Sequence, residues 1–351
     1  MRSFLRAAIV PGALLAAACS GGATGAASSG AGGSGAGNAG VTSSTSATTS
    51  ASAGTGGDAT CAACVTVLAL APGSEPLGLF VDAEHLYWTQ SGTGEVMQAG
   101  LDGSNPVILA SGQPSPVAVQ AAGGFVYWVS YADTGVARRA PIGGGEVVDL
   151  APAPAARDLF VGAEQVWWTG EPDDLWRAPL TGVPQGTLPA LLSSNALPNG
   201  LAVDAQSLYW VNRLDGAVKK ADHAFGGQTV LATGDLPWDI AVDESYVYWT
   251  EQGSGAGAGA VKRASKVDGS GVQLLAADVI GPRGLALDAT RVYWANKEDG
   301  TIKAVPLEGG PVTVMAAGQL QPASVVVDED FVYWTSFGDD TLVVLGFAEF
   351  D

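Results

Sequence analysis

The stretch Leu197-Pro198-Asn199-Gly200-Leu201-Ala202-Val203-Asp204-Ala205-Gln206-Ser207-Leu208-Tyr209-Trp210-Val211 holds two short apolar runs separated by a polar turn, and its aromatic pair recurs along the chain. The pair appears seven times, as Tyr87-Trp88, Tyr127-Trp128, Trp167-Trp168, Tyr209-Trp210, Tyr248-Trp249, Tyr293-Trp294 and Tyr333-Trp334. The intervals are 40, 40, 42, 39, 45 and 40 residues, the period of a repeat built from one small sheet. Eight residues ahead of each pair stands an aliphatic residue, and five ahead stand Asp82, Asp204, Asp243, Asp288 and Asp328 in five of the seven units. Pro76, Pro116, Pro198, Pro237, Pro282 and Pro322 lie eleven ahead in six.

Each unit reads as four strands: an apolar run such as Gly200 to Val203, the strand of the aromatic pair, one like Thr301 to Val305, and one like Pro311 to Met315. The first two are apolar on successive residues, the pattern of sheets covered on both faces. Glycine-containing turns, Asp102-Gly103 and Gly309-Gly310 among them, separate the third strand from the fourth. The expected fold is therefore all-β: a seven-bladed β-propeller, with six or eight blades as the alternatives. After Trp334 there is room for one strand only, Thr341 to Leu345, whereas an orphan strand, Val65 to Ala69, precedes the first proline. Pairing that N-terminal strand into the last blade would close the ring and remove its open seam.

The Pro-x-Gly-Leu-Ala-Val-Asp…Tyr-Trp units, as in Pro198 to Val211, resemble the YWTD repeats of lipoprotein-receptor propellers and the related NHL repeats, over about 280 residues. Two features depart from that pattern. The family's final Asp is replaced by Gln90, Ser130, Gly170, Asn212, Glu251, Asn296 and Ser336, and YWTD propellers have six blades where seven pairs are present here. The resemblance implies that the aromatics are core.

The ends of the chain define its expected setting. Residues 1–18 begin with Arg2 and Arg6 and continue in an apolar stretch too short to span a bilayer, the shape of an export signal. Leu15-Ala16-Ala17-Ala18-Cys19 resembles the lipobox of bacterial lipoproteins, which implies lipidation at Cys19; an ordinary cleaved signal with an incidental cysteine is the alternative. Residues 19–60 are nearly all Gly, Ala, Ser and Thr, a tether with a typical reach of roughly 35 Å. Residues 61–351 form the propeller, opened by Cys61-Ala-Ala-Cys64. One such pair falls short of a zinc ribbon, and in an oxidising compartment it reads as a local disulfide. The expected location is the bacterial cell envelope, lipid-anchored at the periplasmic or outer-membrane surface.

Removing the signal leaves 14 basic against 35 acidic residues, a net charge of −21. Such a chain repels nucleic acid and anionic lipid, so membrane contact is expected through the anchor only. Propeller ligands meet the face made by the loops entering strand one and those between strands two and three. The first set places Arg157, Asn199, Trp238 and Arg283 there, the second Tyr131, Arg213, Lys297 and Phe337. Trp238, Arg157, Arg283, Asn199, Tyr131 and Phe337, read as exposed, would form a contact patch for a protein or glycan, with unrelated loop residues as the alternative. Basic residues of the third strands, such as Arg138, Lys219, Arg263 and Lys303, are expected near blade edges, where charge discourages pairing between molecules.

With only His85 and His223, each expected in a connecting turn, histidine-based catalysis finds little support. The function expected is a non-enzymatic binding or scaffold module without a cofactor. The alternative is a hydrolase: Leu197-Pro198-Asn199-Gly200-Leu201 is similar to the metal-binding segment of gluconolactonase-type propellers. That similarity implies calcium held by Glu75, Asn199 and Asp239 at the channel, with Glu75 and Asp239 about one residue out of that family's spacing.

Overall fold

A computed structural model describes residues 65–171, 174–184, 186–193, 196–255 and 257–347. Cys19, Cys61, Cys64, the signal and the tether lie outside the described residues. Within them the chain is all-β, arranged as seven four-stranded antiparallel sheets, the blades of a β-propeller. Blade 4 shows the order: Pro198–Val203, Ser207–Asn212, Ala217–Asp222 and Thr229–Thr233. The closing strand is where the orphan segment was expected. Val65–Ala69 pairs antiparallel with Thr341–Gly346, Val65 opposite Leu345 and Ala69 opposite Thr341, so blade 7 takes its outer strand from the start of the chain.

The aromatic pairs explain the stacking. Successive residues of a strand point to opposite faces, so each pair sends one ring toward each neighbouring blade. All seven second strands are buried after their first residue, and Trp88, Trp128, Trp168, Trp210, Trp249, Trp294 and Trp334 are closed to solvent. Seven apolar layers result, each joining the first ring of one pair to the second ring of the next: Tyr87 with Trp128, Tyr127 with Trp168, Trp167 with Trp210, and so on to Tyr333 with Trp88. The last layer crosses the seam with the same chemistry as the others.

The recurring aspartates have a local task. In all five units one carboxylate oxygen accepts two backbone N–H groups of the turn, as Asp204 does from Gln206 and Ser207, and the other accepts the tyrosine hydroxyl five residues on. The bond from Tyr209 to Asp204 is 3.0 Å. Burial, then the neighbouring carboxylate, pushes the phenols of Tyr87, Tyr209, Tyr248, Tyr293 and Tyr333 above their ordinary range, so they remain donors. Blade 3 changes both partners together. It has Trp167 in place of tyrosine and Gly162 in place of aspartate, and a Cβ at Gly162 would lie 2.7 Å from the indole.

Around the channel every first strand carries a bulge just after its start, which leaves a backbone N–H outside the ladder. Thr89, Thr250 and Thr335 accept that N–H in blades 1, 5 and 7, and Thr335 also donates to the Leu77 carbonyl across the seam at 2.9 Å. Asp158 and Asp239 tie blade to blade instead, accepting the N–H of Leu201 and of Leu285 in the following blade. Gly200 lets blade 4 pack directly on Asp239 of blade 5, since a Cβ there would meet Asp239 Oδ1 at 2.6 Å.

One expectation is corrected. The third strands are paired on both sides, so Arg138, Lys219, Arg263 and Lys303 are not edge charges; the outer strands form the edges. These side chains instead lie along the sheets and between blades: Arg263 is 5% exposed and bonds Glu308 of the next blade, and Lys266 reaches from blade 5 to Asp204 of blade 4. Long basic side chains bury their stems against the sheet while their heads find carboxylates.

Candidate functional site at the channel mouth

Two sets of positions surround one end of the channel, and a repeated backbone bond places them together. The residue before each first strand has a positive φ: Glu75, Ser115, Ala155, Leu197, Leu236, Gly281 and Gln321. Its carbonyl accepts the N–H of the residue three beyond the second tryptophan position, respectively Ser91, Tyr131, Glu171, Arg213, Gln252, Lys297 and Phe337. The left-handed turn aims the chain into the channel, so the second residue of each entering segment faces the axis. Those residues are Leu77, Val117, Arg157, Asn199, Trp238, Arg283 and Ala323, and all seven line one cavity of about 460 Å³ together with Tyr131, Lys297 and Phe337. The six residues expected to share a face do share it: Tyr131, Arg157, Asn199, Trp238, Arg283 and Phe337 converge on this mouth.

The mouth is organised as cations on rings. Arg157 lies 5.1 Å from the Tyr131 ring centre, Lys297 lies 6.0 Å from that of Phe337, and Trp238 carries two guanidinium groups, Arg283 at 3.8 Å and Arg213 at 4.4 Å. Trp238 is half-buried rather than exposed, a correction to the sequence expectation: its ring holds two arginines in place instead of standing free for a ligand to stack on. Tyr131 is the exposed ring, at 42%.

Carboxylates stand among these cations: Glu171 and Glu298 at the rim, Asp158 and Asp239 one residue deeper. Glu171 accepts from Arg157 and, at 3.1 Å, from the Tyr131 hydroxyl. Burial alone would raise that carboxyl, but these bonds and the arginine charge hold it below its ordinary value. Arg213 has a 3.4 Å contact to Gln252. Burial and the like charge of Arg157 push Arg213 down, burial and the Arg283 charge push Lys297 down, and burial with Arg213 and Arg157 pushes Arg283 down to about 10, with Glu298 opposing in part. Like charges are thus held close together at the mouth. Sequence reading missed Glu171 and Gln252, although both occupy the same loop position as Tyr131 and Arg213 and were readable by the same count.

The calcium set is only partly assembled. Asn199 is 7% exposed and its amide donates to the Trp238 carbonyl at 2.6 Å. Asp239 lines the cavity, with one oxygen accepting from Ile240 N–H and the other from Leu285 N–H. Glu75 stands apart from the cavity lining; its N–H donates to Asp340 and its carboxylate meets the Ser91 hydroxyl at 3.4 Å. Among the described residues no group of three or more His, Cys, Asp or Glu side chains is placed to hold a metal ion. Arg157, Arg283 and Lys297 share the cavity wall with the carboxylates of Asp158 and Asp239.

No protein-family model and no curated protein sequence matches the chain. Solved structures do. Virginiamycin B lyase from Staphylococcus aureus aligns with a TM-score of 0.67 at 12% identity, covering 81% of this chain and 99% of that one. The WD40 β-propeller domain of Doa1 aligns with a TM-score of 0.62 at 13% identity, covering 76% and 90%. Nidogen, in a nidogen/laminin complex, aligns with a TM-score of 0.50 at 18% identity over 76% and 90%. At these identities the likeness is one of fold.

Proposed function

We propose that this chain is a non-enzymatic binding module of the bacterial cell envelope, lipid-anchored through Cys19, that presents the mouth of its propeller to a protein or glycan partner. The observation that carries the reading is the convergence of Arg157, Trp238, Arg283, Lys297, Tyr131 and Phe337, from blades 2 to 7, on one cavity, with Arg213 stacked on Trp238 behind them. Loop residues on a rigid frame are where recognition is built. The two histidines support binding over catalysis by their place. His85 opens the second strand of blade 1, and His223 follows the third strand of blade 4 and bonds the Asp204 carbonyl, both at the opposite end of the blades from the mouth.

A photo-crosslinking residue at Phe337, on the mouth, and another at Glu329, in the opposite turn, test this in the full-length protein on its native envelope. Adduct formation from position 337 and not from 329 is the expected result. Equal labelling from both, or labelling from 329 alone, would remove the mouth as the contact face.

A further inference from the structure

We infer that the mouth is a site for a small organic anion, a carboxylate carried on an apolar body; this rests on the reading of the mouth as the contact face and names its ligand class. Three of the chain's 16 basic residues line it, Arg157, Arg283 and Lys297, and a fourth, Arg213, stacks on Trp238 of the lining, on a molecule whose net charge is −19. Elsewhere in the propeller six of ten bases have carboxylates, Arg138 with Asp149, Lys219 with Asp215, Lys262 with Glu251, Arg263 with Glu308, Lys266 with Asp204 and Lys303 with Asp299, while Arg139, Arg177, Lys220 and Arg291 have none in ion-pair range among the described residues. At the mouth only Arg157 is so paired, with Glu171; among the described residues no carboxylate lies within ion-pair distance of Arg213, Arg283 or Lys297. The Nε atoms of Arg157, Arg213 and Arg283, like those of Arg139 and Arg177 on the blades, are buried without a hydrogen-bond partner. Gathering partly desolvated like charges costs free energy that an anion would return, and aromatic rings hold the guanidinium groups ready for it.

Two carboxylates share the cavity wall. Asp158 and Asp239 stand one residue deeper than Arg157 and Trp238 on their strands, and each accepts two backbone N–H groups, which fixes them in the wall. Glu298 is exposed. An anion therefore meets the cations at the rim and is kept from travelling deeper as a bare charge. The apolar part of the wall lies beside the cations, with Leu77, Val117 and Ala323 of blades 1, 2 and 7 at the strand position of Arg157 and Arg283, and Leu79, Val119 and Leu159 two residues further along their strands. A cavity of about 460 Å³ falls in the range that holds small molecules, and this division of its wall calls for a charged head and an apolar body.

The probes are 1-naphthoate, its neutral analogue 1-naphthamide, and inorganic sulfate, titrated into the full-length protein while following tryptophan fluorescence and the melting temperature. Naphthoate is expected to bind at least about tenfold more tightly than either naphthamide or sulfate, because each lacks one half of the match. Arg283→Gln and Arg213→Gln are each expected to weaken naphthoate about tenfold or more while leaving the melting temperature equal or higher, since each relieves like-charge crowding. Ala323→Trp, which fills the apolar wall, should weaken naphthoate and leave sulfate unchanged. Equal binding of naphthoate and naphthamide, binding of sulfate as tight as naphthoate, or affinity unmoved by both arginine changes would each overturn the inference. Absence of naphthoate binding with retained cross-linking from position 337 would remove the ligand class and leave the contact face standing; loss of cross-linking with naphthoate still bound would do the reverse.

Discussion

Asp204 shows how much one side chain is asked to do in this fold. Its Oδ1 holds the turn between the first two strands, its Oδ2 takes the Tyr209 hydroxyl at 3.0 Å, and the same Oδ2 meets the Lys266 ammonium of the next blade at 2.9 Å. Burial pushes this carboxyl up, but the lysine and the two backbone N–H groups outweigh it, and the net displacement is downward. A carboxyl depressed in the folded state contributes stability above its unfolded value of about 3.9 and loses it as pH falls through the lower folded value. Lys266→Met is thus expected to cost about 1 to 3 kcal/mol at neutral pH, with the gap from the parent closing below about pH 4. Urea denaturation at pH 7, 5 and 3 measures it, and a gap that stays constant with pH would show that packing, not charge, carries the loss. The aspartates were visible from spacing alone; the lysine was not, because Lys266 lies 62 residues from its partner.

At the scale of the element, the closing strand bears the largest load. Val65–Ala69 is the outer strand of blade 7, and without it the Thr341–Gly346 strand would expose an unpaired edge. Leu68 also packs in the layer shared by Trp88 and Tyr333, so its removal opens the core at the seam as well as the sheet. Deleting residues 65–69 is expected to lower the melting temperature sharply and to promote self-association, measured by calorimetry and light scattering, whereas deleting 20–60 should leave the melt unchanged. An unchanged melt after removal of 65–69 would mean that the ring holds on six shared layers alone. This closure was legible because the chain supplies a fourth-strand pattern at the wrong end of the sequence. The role of the third-strand bases was misread for a corresponding reason: alternation along a strand shows which residues share a face but not whether a further strand lies beyond them.

For the whole molecule, charge and attachment set the conditions of use. A chain of net charge −19 repels anions at long range, so the anion inferred for the channel mouth would meet Arg157, Arg283 and Lys297 only at short range, and its affinity should rise with salt that screens the remainder. If Cys19 carries the lipid as proposed, Cys19→Ser should move the protein from the membrane pellet to the soluble fraction, with its melting curve unaltered. Retention in the pellet would assign attachment to another contact.

The sequence by itself determined the repeat, the seven blades, the buried aromatic pairs and the closing strand, because these follow from periodicity, which is a local and additive property of the chain. It also identified the positions that meet at the mouth, since a count from each aromatic pair suffices for that. Only the tertiary structure decided what those positions are to one another. Trp238 holds Arg213 and Arg283 through its ring, Glu171 neutralises Arg157 from a neighbouring loop, and Glu75 turns away to Asp340 and Ser91. Pairings between blades depend on distances set by ring closure, and a side chain's partner is chosen by which groups lie within a few ångströms, not by how far apart they stand along the chain.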